Sequence, residues 1–230
     1  MANIENNTTS VQRRLQQAAR DAGRNPEDIL LLAVSKTRTS AQVRTAMESG
    51  LSSFGENYLQ EAVEKIAQLS NSAISWHFIG PLQSNKTRQV AEHFDWVHTV
   101  DRLKIAKRLS DQRAPDMPAL NVCLQINIDN EESKSGFSPE QAPSMAATIA
   151  QLPNLRLRGL MAIPRPRANM AEQRQPFAQL AALQKEINST LDNCEKLDTL
   201  SMGMSADLEA AIAEGATIIR VGTDIFGPRN

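Results

Sequence analysis

Short runs of apolar and β-branched residues alternate along the chain with longer segments in which apolar residues recur at helical spacing. The runs are Ile29–Val34, Ser53–Gly55, Trp76–Gly80, Trp96–Val100, Leu120–Asn127, Leu157–Ile163, Thr199–Met202 and Ile218–Gly222. Helical segments between them include Ala41–Ser49, Tyr58–Leu69, Lys86–His93, Arg102–Leu109, Pro139–Leu152 and Phe177–Leu191. Strands that alternate with helices in this way predict a parallel sheet.

Eight strand–helix units are the number that closes into a barrel, so we predict an α/β fold made of a single (β/α)8 barrel. An additional amphipathic segment, Val11–Ala22, predicts an extra N-terminal helix that ends near Gly23. The chain contains no convincing linker and ends shortly after the eighth run. We therefore expect residues 1–230 to form one domain.

Composition narrows the class of protein without changing this picture. Hydrophobic residues make up 41% of the chain and charged residues 22%, as in an ordinary globular protein. The 25 Lys and Arg residues balance 26 Asp and Glu residues, which argues against a nucleic-acid or membrane-surface partner because both select a basic face. No apolar run approaches the roughly 20 residues that span a bilayer, and the first residues lack a leader pattern. We expect a cytoplasmic protein.

The cysteines and histidines predict neither a disulfide nor a metal site. Cys123 and Cys194 are far apart and have no ligand spacing, so we expect reduced thiols. His93 and His98 have no carboxylate or histidine at metal-ligand spacing, and we predict that no metal binds.

The first strand ends in a lysine that is a candidate nucleophile. Because alternate strand residues share a face, Leu32, Val34 and Lys36 point the same way, and Lys36 would stand at the upper rim of the barrel facing inward. Loss of hydration there lowers the pKa of an ammonium and raises the fraction of free amine. The alternative is a surface lysine at the end of a strand.

The seventh and eighth strands end in small and hydroxyl residues that suit a phosphate. The loops after these strands are the recurrent phosphate site of such barrels, where glycine lets backbone N–H groups approach an anion. A helix predicted to begin near Ser205 would add its positive end. Ordinary strand-to-helix turns are the alternative. The candidate residues are Ser201, Gly203, Ser205, Gly222 and Thr223.

An arginine lies among apolar residues in the eighth strand. Alternation places Ile218, Arg220 and Gly222 on one face, and a buried arginine needs an acceptor because it remains charged. One interpretation is a structural ion pair with a barrel carboxylate. The other is a donor to the pyridine nitrogen of pyridoxal 5′-phosphate (PLP), which would leave that ring neutral and a poorer electron sink.

Several segments together resemble one family. They are AlaValSerLysThr around Lys36, Phe54–Tyr58, Trp76–Lys86, Ser133–Phe137, Gly159–Ile163, SerMetGlyMetSer and ArgValGlyThr. The chain resembles the pyridoxal phosphate homeostasis proteins, PLP-binding barrels similar to the N-terminal domain of alanine racemase, over about Ile29 to Pro228. The resemblance implies a Schiff base at Lys36, phosphate contacts around Ser201 and Gly222–Thr223, and Arg220 beside the pyridine nitrogen.

Other residues keep two interpretations. Asn57 could hydrogen-bond the ring oxygen of the cofactor or cap a helix. His77 is interpreted as a core histidine rather than a catalytic base. The Asp129–Gly136 segment is either a solvated loop or a lid whose Lys134 approaches the cofactor.

Two functions from different classes follow from these residues. The first, which we favour, is a PLP carrier that supplies vitamin B6 cofactor to apo-enzymes that use PLP, without catalytic turnover. The second is an amino-acid racemase of low activity, which needs two bases. Racemases of this type take the second base from a further domain of a partner subunit, which this chain lacks, so we expect a monomer; its single tyrosine is Tyr58. A third interpretation is an aldolase that binds a sugar phosphate.

Overall fold

Eight parallel strands close into a barrel in the order of the chain. The structure is a computed structural model that describes residues 3–70, 72–191 and 196–228. Each strand pairs with the next, and β8 returns to β1, with Leu30 opposite Ile218. The predicted (β/α)8 barrel is therefore confirmed. The strands are β1 (Leu30–Val34), β2 (Ser53–Glu56), β3 (Ser75–Phe78), β4 (Trp96–Val100), β5 (Leu120–Gln125), β6 (Leu155–Met161), β7 (Thr199–Ser201) and β8 (Ile218–Val221).

Helices surround the barrel, and the extra N-terminal helix is present. It begins seven residues earlier than predicted, because the side chain of Asn3 accepts a hydrogen bond from the Asn6 backbone N–H and caps its first turn. The helices are α1 (Ile4–Asp21), α2 (Ser40–Glu48), α3 (Leu59–Gln68), α4 (Thr87–His93), α5 (Leu103–Gln112), α6 (Ala142–Ala150), α7 (Met170–Thr190), α8 (Leu208–Ala213) and α9 (Thr223–Phe226).

Apolar side chains fill the layer between helices and strands. The inner face of α5 buries Ile105, Ala106 and Leu109, and the long α7 buries Phe177 and Leu180. These positions recur every three or four residues, which is why the helical spacing of the sequence locates them. Removal of one such large side chain typically costs about 2–5 kcal/mol of stability. Within the described ranges no helix is long and apolar enough to cross a membrane.

The seventh helix begins at Met170, seven residues before the predicted start. Pro176 lies inside it and has no N–H to donate to the carbonyl oxygen of Glu172, so proline made the first two turns look like a loop. Asn169 caps the helix by accepting from the Glu172 N–H at 3.0 Å. The guanidinium of Arg167 contacts the Glu172 carbonyl oxygen at 3.4 Å and replaces the missing donor.

Two further boundaries differ from the sequence-based prediction. The helix predicted to begin near Ser205 begins at Leu208, because Asp207 accepts from the Met204 backbone N–H at 2.7 Å and closes a turn before it. The short α9 was not predicted, since four residues carry no helical period. Cys123 is buried and free, and burial raises the pKa of its thiol to about 12, while Cys194 lies outside the described residues.

Candidate functional site

A cavity of about 300 Å³ opens at the carboxyl ends of the strands, between β8, β1 and β2. Barrels of this type carry their ligand sites at this end. Six of the eight residues that the sequence predicts for cofactor binding line it: Lys36, Asn57, Ser205, Arg220, Gly222 and Thr223. Ser201 and Gly203 are not among the lining residues. Most of the residues predicted from the ends of the strands therefore lie around one cavity.

Lys36 stands on a tight turn at the end of β1. The strand ends at Val34, the Arg38 N–H donates to the Ser35 carbonyl oxygen at 3.1 Å, and Thr37 has a left-handed φ of 63°. Such a φ is uncommon for a β-branched residue, so surrounding contacts must hold the turn. The side chain of Lys36 is half-buried and lines the cavity, which does not fit a lysine on the outer surface.

A buried ionic group holds the backbone on both sides of Lys36. We call Ser35, Glu56, Glu61 and Lys65 the Lys65 cluster. The Lys65 ammonium donates to the Ser35 carbonyl oxygen at 2.6 Å, to Glu56 Oε1 at 2.7 Å and to Glu61 Oε1 at 2.5 Å. The Ser35 hydroxyl donates to Glu56 at 2.6 Å, and the Thr37 N–H donates to Glu61 at 2.6 Å. The cluster thus fixes the residues before and after the candidate nucleophile.

Charge balance explains how this cluster is buried. Glu56 is fully buried and Lys65 is only 4% exposed. Burial raises the pKa of Glu56, and the adjacent Lys65 opposes that rise. The second carboxylate oxygen of Glu56 has no hydrogen-bond partner among the described residues. Removal of one member of a buried pair leaves an uncompensated charge, which is far more costly than loss of a surface pair.

Arg220 is a buried cation held by neutral groups. One terminal nitrogen donates to the carbonyl and hydroxyl oxygens of Ser201 at 2.6 and 2.7 Å, and the other donates to the Ala162 carbonyl oxygen at 3.0 Å. No carboxylate forms an ion pair with it in the part of the chain that the structure describes, so the interpretation as a structural ion pair is wrong. Burial lowers its pKa to about 10, so it stays charged at neutral pH.

A guanidinium has five N–H groups, and these contacts use three of those on Arg220. Arg220, which lines the cavity, therefore still has N–H groups that can donate to a ligand.

A line of hydrogen bonds continues from Arg220 through the barrel interior. We call Ser75, His77, His98 and Ser201 the histidine chain. The distances are 2.7 Å from Ser201 Oγ to His98 Nδ1, 2.9 Å from His98 Nε2 to His77 Nδ1, and 3.2 Å from His77 Nε2 to Ser75 Oγ. Burial lowers the pKa of His77 to about 3 and that of His98 well below its ordinary value. Both imidazoles are therefore neutral near pH 7, and His77 is the core histidine that the sequence predicts.

Ser201 and Gly203 do not line the cavity, but both contact Arg220, which does. Ser201 is fully buried and contacts Arg220 and His98, as above. Gly203 has a φ of 88°, and a Cβ atom there would lie 2.5 Å from the Cβ of Ala211. Its carbonyl oxygen accepts from the Arg220 backbone N–H at 3.1 Å, so glycine is required where β7 turns towards α8.

Asn57 lies in the cavity and does not cap a helix. The N-cap of α3 is Tyr58, which makes no side-chain capping bond, so the capping interpretation is wrong. The Oδ1 atom of Asn57 is inaccessible to solvent and has no hydrogen-bond partner among the described residues. Buried polar atoms are rarely left unpaired, and the exceptions often mark ligand sites.

A second cavity of about 330 Å³ adjoins the first and shares Asn57, Ile79 and Ile163 with it. Lys134 lines this second cavity, where it donates to the Ile163 carbonyl oxygen at 3.2 Å and pairs with Glu131 at 2.5 Å. Asp129 pairs with Arg167 at 2.5 Å. The Asp129–Gly136 segment is thus tied to the residues after β6 and is not simply solvated.

Sequence reasoning missed the site roles of His98, Glu56 and Lys65. A polar residue in the middle of the apolar Trp96–Val100 run and a lysine on the apolar face of α3 were the available signals. In the described ranges no three His, Cys, Asp or Glu side chains are grouped to hold a metal ion.

Comparison with known proteins shows which family the chain belongs to. A family model described as alanine racemase, N-terminal domain, matches residues 3–230. The pyridoxal phosphate homeostasis protein of Pseudomonas aeruginosa is 57% identical over 230 residues, which cover 100% of this chain and 97% of that protein. The Escherichia coli K12 protein of the same name is 50% identical over 233 residues, 100% and 98% of the two chains.

This chain belongs to the pyridoxal phosphate homeostasis protein family. A solved structure of PipY from Synechococcus elongatus PCC7942 with PLP bound superposes with a TM-score of 0.80 at 37% identity, covering 93% of this chain and 99% of that one. Alanine racemase from Clostridium difficile 630, at 15% identity and a TM-score of 0.67, covers 95% of this chain and 56% of the racemase, and shows the shared barrel.

Proposed function

We propose that this protein binds PLP in the 300 Å³ cavity, covalently attached through Lys36, and takes part in PLP homeostasis and supply without catalytic turnover. The observation that carries the proposal is Arg220, a buried cation with spare donors and no carboxylate partner among the described residues, in the same cavity as the half-buried Lys36. The PLP-bound PipY structure and the names of the curated relatives support it.

The residues around the cavity fit the functional groups of PLP. Lys36 supplies an amine for the aldehyde. The first N–H groups of a helix have no acceptor within it, so those of α9, with the Ser205 and Thr223 hydroxyls, suit the phosphate. Asn57 lines the cavity, and the N–H groups of its side-chain amide suit the ring oxygen as donors.

Arg220 is the proposed partner of the ring nitrogen. When bound, PLP supplies an electron sink whose strength depends on protonation of that nitrogen. A guanidinium donates a hydrogen bond but does not accept a proton, so Arg220 keeps the nitrogen unprotonated. Ser201 and Gly203 then act by fixing Arg220 rather than by touching the phosphate. This arrangement suits holding the cofactor more than stabilising a carbanion.

The racemase alternative lacks a well-placed second base. Tyr58 is 53% exposed and is not among the residues that line the cavity. His98 lines the cavity, but both of its ring nitrogens are already hydrogen-bonded. Proton return on the face opposite Lys36 therefore has no candidate group among the described residues that line the cavity.

The test is a titration of the purified protein with PLP, followed by visible absorption. A saturable visible band is expected, together with racemisation of natural amino acids slower than about 1 s⁻¹, the low end of ordinary enzyme turnover. Incubation of the loaded protein with an apo-enzyme that uses PLP should restore that enzyme's activity. A protein that stays colourless in excess PLP would overturn the proposal, and racemisation at ordinary turnover would replace the carrier with an enzyme.

A further inference from the structure

We propose that His98 and His77 are positioning residues that act through Ser201 to hold the Arg220 guanidinium towards the ligand. This inference rests on the proposed function, because it specifies what keeps Arg220 beside the ring nitrogen. Neither imidazole needs to touch the cofactor ring for this role. The geometry that carries it is the histidine chain, which runs through the barrel interior from Ser75 at the start of β3 to Arg220 on β8.

The hydrogen bonds of this chain run in one direction only. The Ser201 hydroxyl oxygen accepts an N–H from Arg220, so its own proton needs an acceptor. Among the described residues His98 Nδ1, at 2.7 Å, is the atom that can accept it. His98 then carries its proton on Nε2 and donates to His77 Nδ1, and His77 donates from Nε2 to Ser75.

The reverse direction leaves a buried group unpaired. If His98 Nδ1 carried the proton, Ser201 Oγ would accept from both His98 and Arg220, and its own hydroxyl proton would have no acceptor in the described part of the chain. Buried polar groups without partners are strongly disfavoured. The chain therefore presents an acceptor, not a donor, to Ser201.

Both imidazoles must be neutral for the hydrogen bonds of the histidine chain to run in this direction. A doubly protonated His98 would donate from Nδ1, oppose the Ser201 hydroxyl and add a second cation close to Arg220. His98 and His77 are 0% and 1% exposed, and Trp96 stacks on the His77 ring at 5.3 Å with an interplanar angle of 5°. Burial and stacking thus fix both the charge and the orientation of the chain.

Loss of the chain would release one of three contacts that orient the guanidinium. Without an acceptor at position 98 the Ser201 hydroxyl rotates to find another, and its hydrogen bond with Arg220 weakens. The remaining contacts are to the carbonyl oxygens of Ser201 and Ala162. A guanidinium freed in this way turns partly away from the ring nitrogen, which then becomes easier to protonate.

The test compares full-length variants loaded with PLP that is ¹⁵N-labelled at the ring nitrogen. The readouts are the ¹⁵N chemical shift, the dissociation constant for PLP and the thermal midpoint. His98→Leu is expected to move the shift towards that of a protonated ring and to weaken PLP binding about tenfold, the size expected for a charged hydrogen bond. His98→Asn keeps a polar atom near the position of Nδ1 and should restore most of both properties.

Two further variants keep the test decisive. Ser201→Ala removes little volume and should move the ¹⁵N shift in the same direction even if His98→Leu fails to fold. The matched control is His93→Leu, since His93 lies on α4 outside the histidine chain and among the described residues bonds only the Gln89 carbonyl oxygen. It should leave the shift and the dissociation constant unchanged.

Arg220→Met separates failure of this inference from failure of the proposed function. If Arg220→Met moves the ring signal and both His98→Leu and Ser201→Ala leave it unmoved, the positioning role is overturned while the proposed site stands. If Arg220→Met itself leaves the signal unmoved, Arg220 does not contact the ring nitrogen, and the positioning role and the assignment of Arg220 to that nitrogen are both overturned. Failure of PLP binding itself is seen separately, as a protein that stays colourless in excess PLP. A shift in all three variants with rescue by His98→Asn supports the positioning role.

Discussion

Two polar networks hold residues that line the same cavity, Lys36 and Arg220, and the networks differ in charge. The Lys65 cluster is ionic and pairs one ammonium with Glu56 and Glu61. The histidine chain is neutral and joins two serines and two imidazoles. The first contacts the backbone on either side of Lys36, whereas the second contacts the side chain of Arg220.

The difference accounts for the structural role of Lys65 and fits the ligand-binding role that we propose for Arg220. Lys65 is surrounded by carboxylates, so its charge is balanced within the protein. Among the described residues Arg220 contacts neutral oxygens only, so its charge and its spare N–H groups are available to the ligand that we propose for the cavity. The ionic network thus holds the turn at Lys36, and the neutral network leaves the charge of Arg220 without a carboxylate partner.

The largest expected effect is on stability, from Lys65→Met. This substitution leaves Glu56 buried without its partner and should lower the free energy of unfolding by about 3–5 kcal/mol in urea titrations. Lys104→Met, at an exposed position on α5, is the control and should change it by less than about 0.5 kcal/mol. A loss below about 1 kcal/mol for Lys65→Met would mean that the cluster is not a coupled network.

The second expected effect is a loss of stability at acid pH, which arises from the neutral imidazoles of the histidine chain. The folded-state pKa values of His77 and His98 lie below the ordinary value of 6.5, so the unfolded chain binds protons that the folded protein does not. Stability from these groups is complete above about pH 6.5 and is lost as pH falls, for His77 down to about pH 3.

His77 should account for about 2 kcal/mol of the loss between pH 7 and pH 5, and His98 should add to the loss in the same direction, measured by urea unfolding at several pH values. His98→Asn should remove its share of the slope. An unaltered slope in His98→Asn would mean that His98 binds protons as readily in the folded protein as in the unfolded one, which contradicts a histidine chain held neutral by burial.

A smaller effect is expected at the edge of the ionic cluster. Glu61→Gln weakens the contacts with the Thr37 N–H and Lys65, and should lower stability by about 1 kcal/mol and slow attachment of PLP several-fold, because the turn that carries Lys36 loosens. Glu64→Gln, an exposed position on the same helix, is the control. Equal rates of PLP attachment in the two variants would remove Glu61 from the positioning of Lys36.

The strand pattern locates the residues that face the cavity but not the networks beneath them. Period-two alternation was enough to predict that Lys36 and Arg220 face inward, because a strand residue's face follows from its position alone. The contact of His98 with Ser201 joins residues 103 positions apart, and only closure of the barrel brings them together. The hydrogen-bond partners of the buried Arg220 likewise could not be predicted until its neighbours in the fold were known.

Local exceptions to regular patterns explain the other differences. Pro176 interrupts the helical sequence pattern in the first turns of α7. The four residues of α9 are too few to show a helical period, although this helix supplies backbone N–H donors that begin at Thr223. Asn57 fits both a helix cap and a ligand contact in sequence. The structure excludes the cap, because Tyr58 is the N-cap of α3, and the ligand contact stays a prediction.

Covalent attachment of PLP to Lys36 is tested by borohydride reduction followed by peptide mass mapping. Borohydride converts a carbon–nitrogen double bond between lysine and PLP into a stable single bond. We expect one modified peptide, at Lys36, and an unmodified but folded Lys36→Ala variant that still binds PLP weakly and reversibly. Modification at Lys86 or Lys134 in place of Lys36 would contradict it.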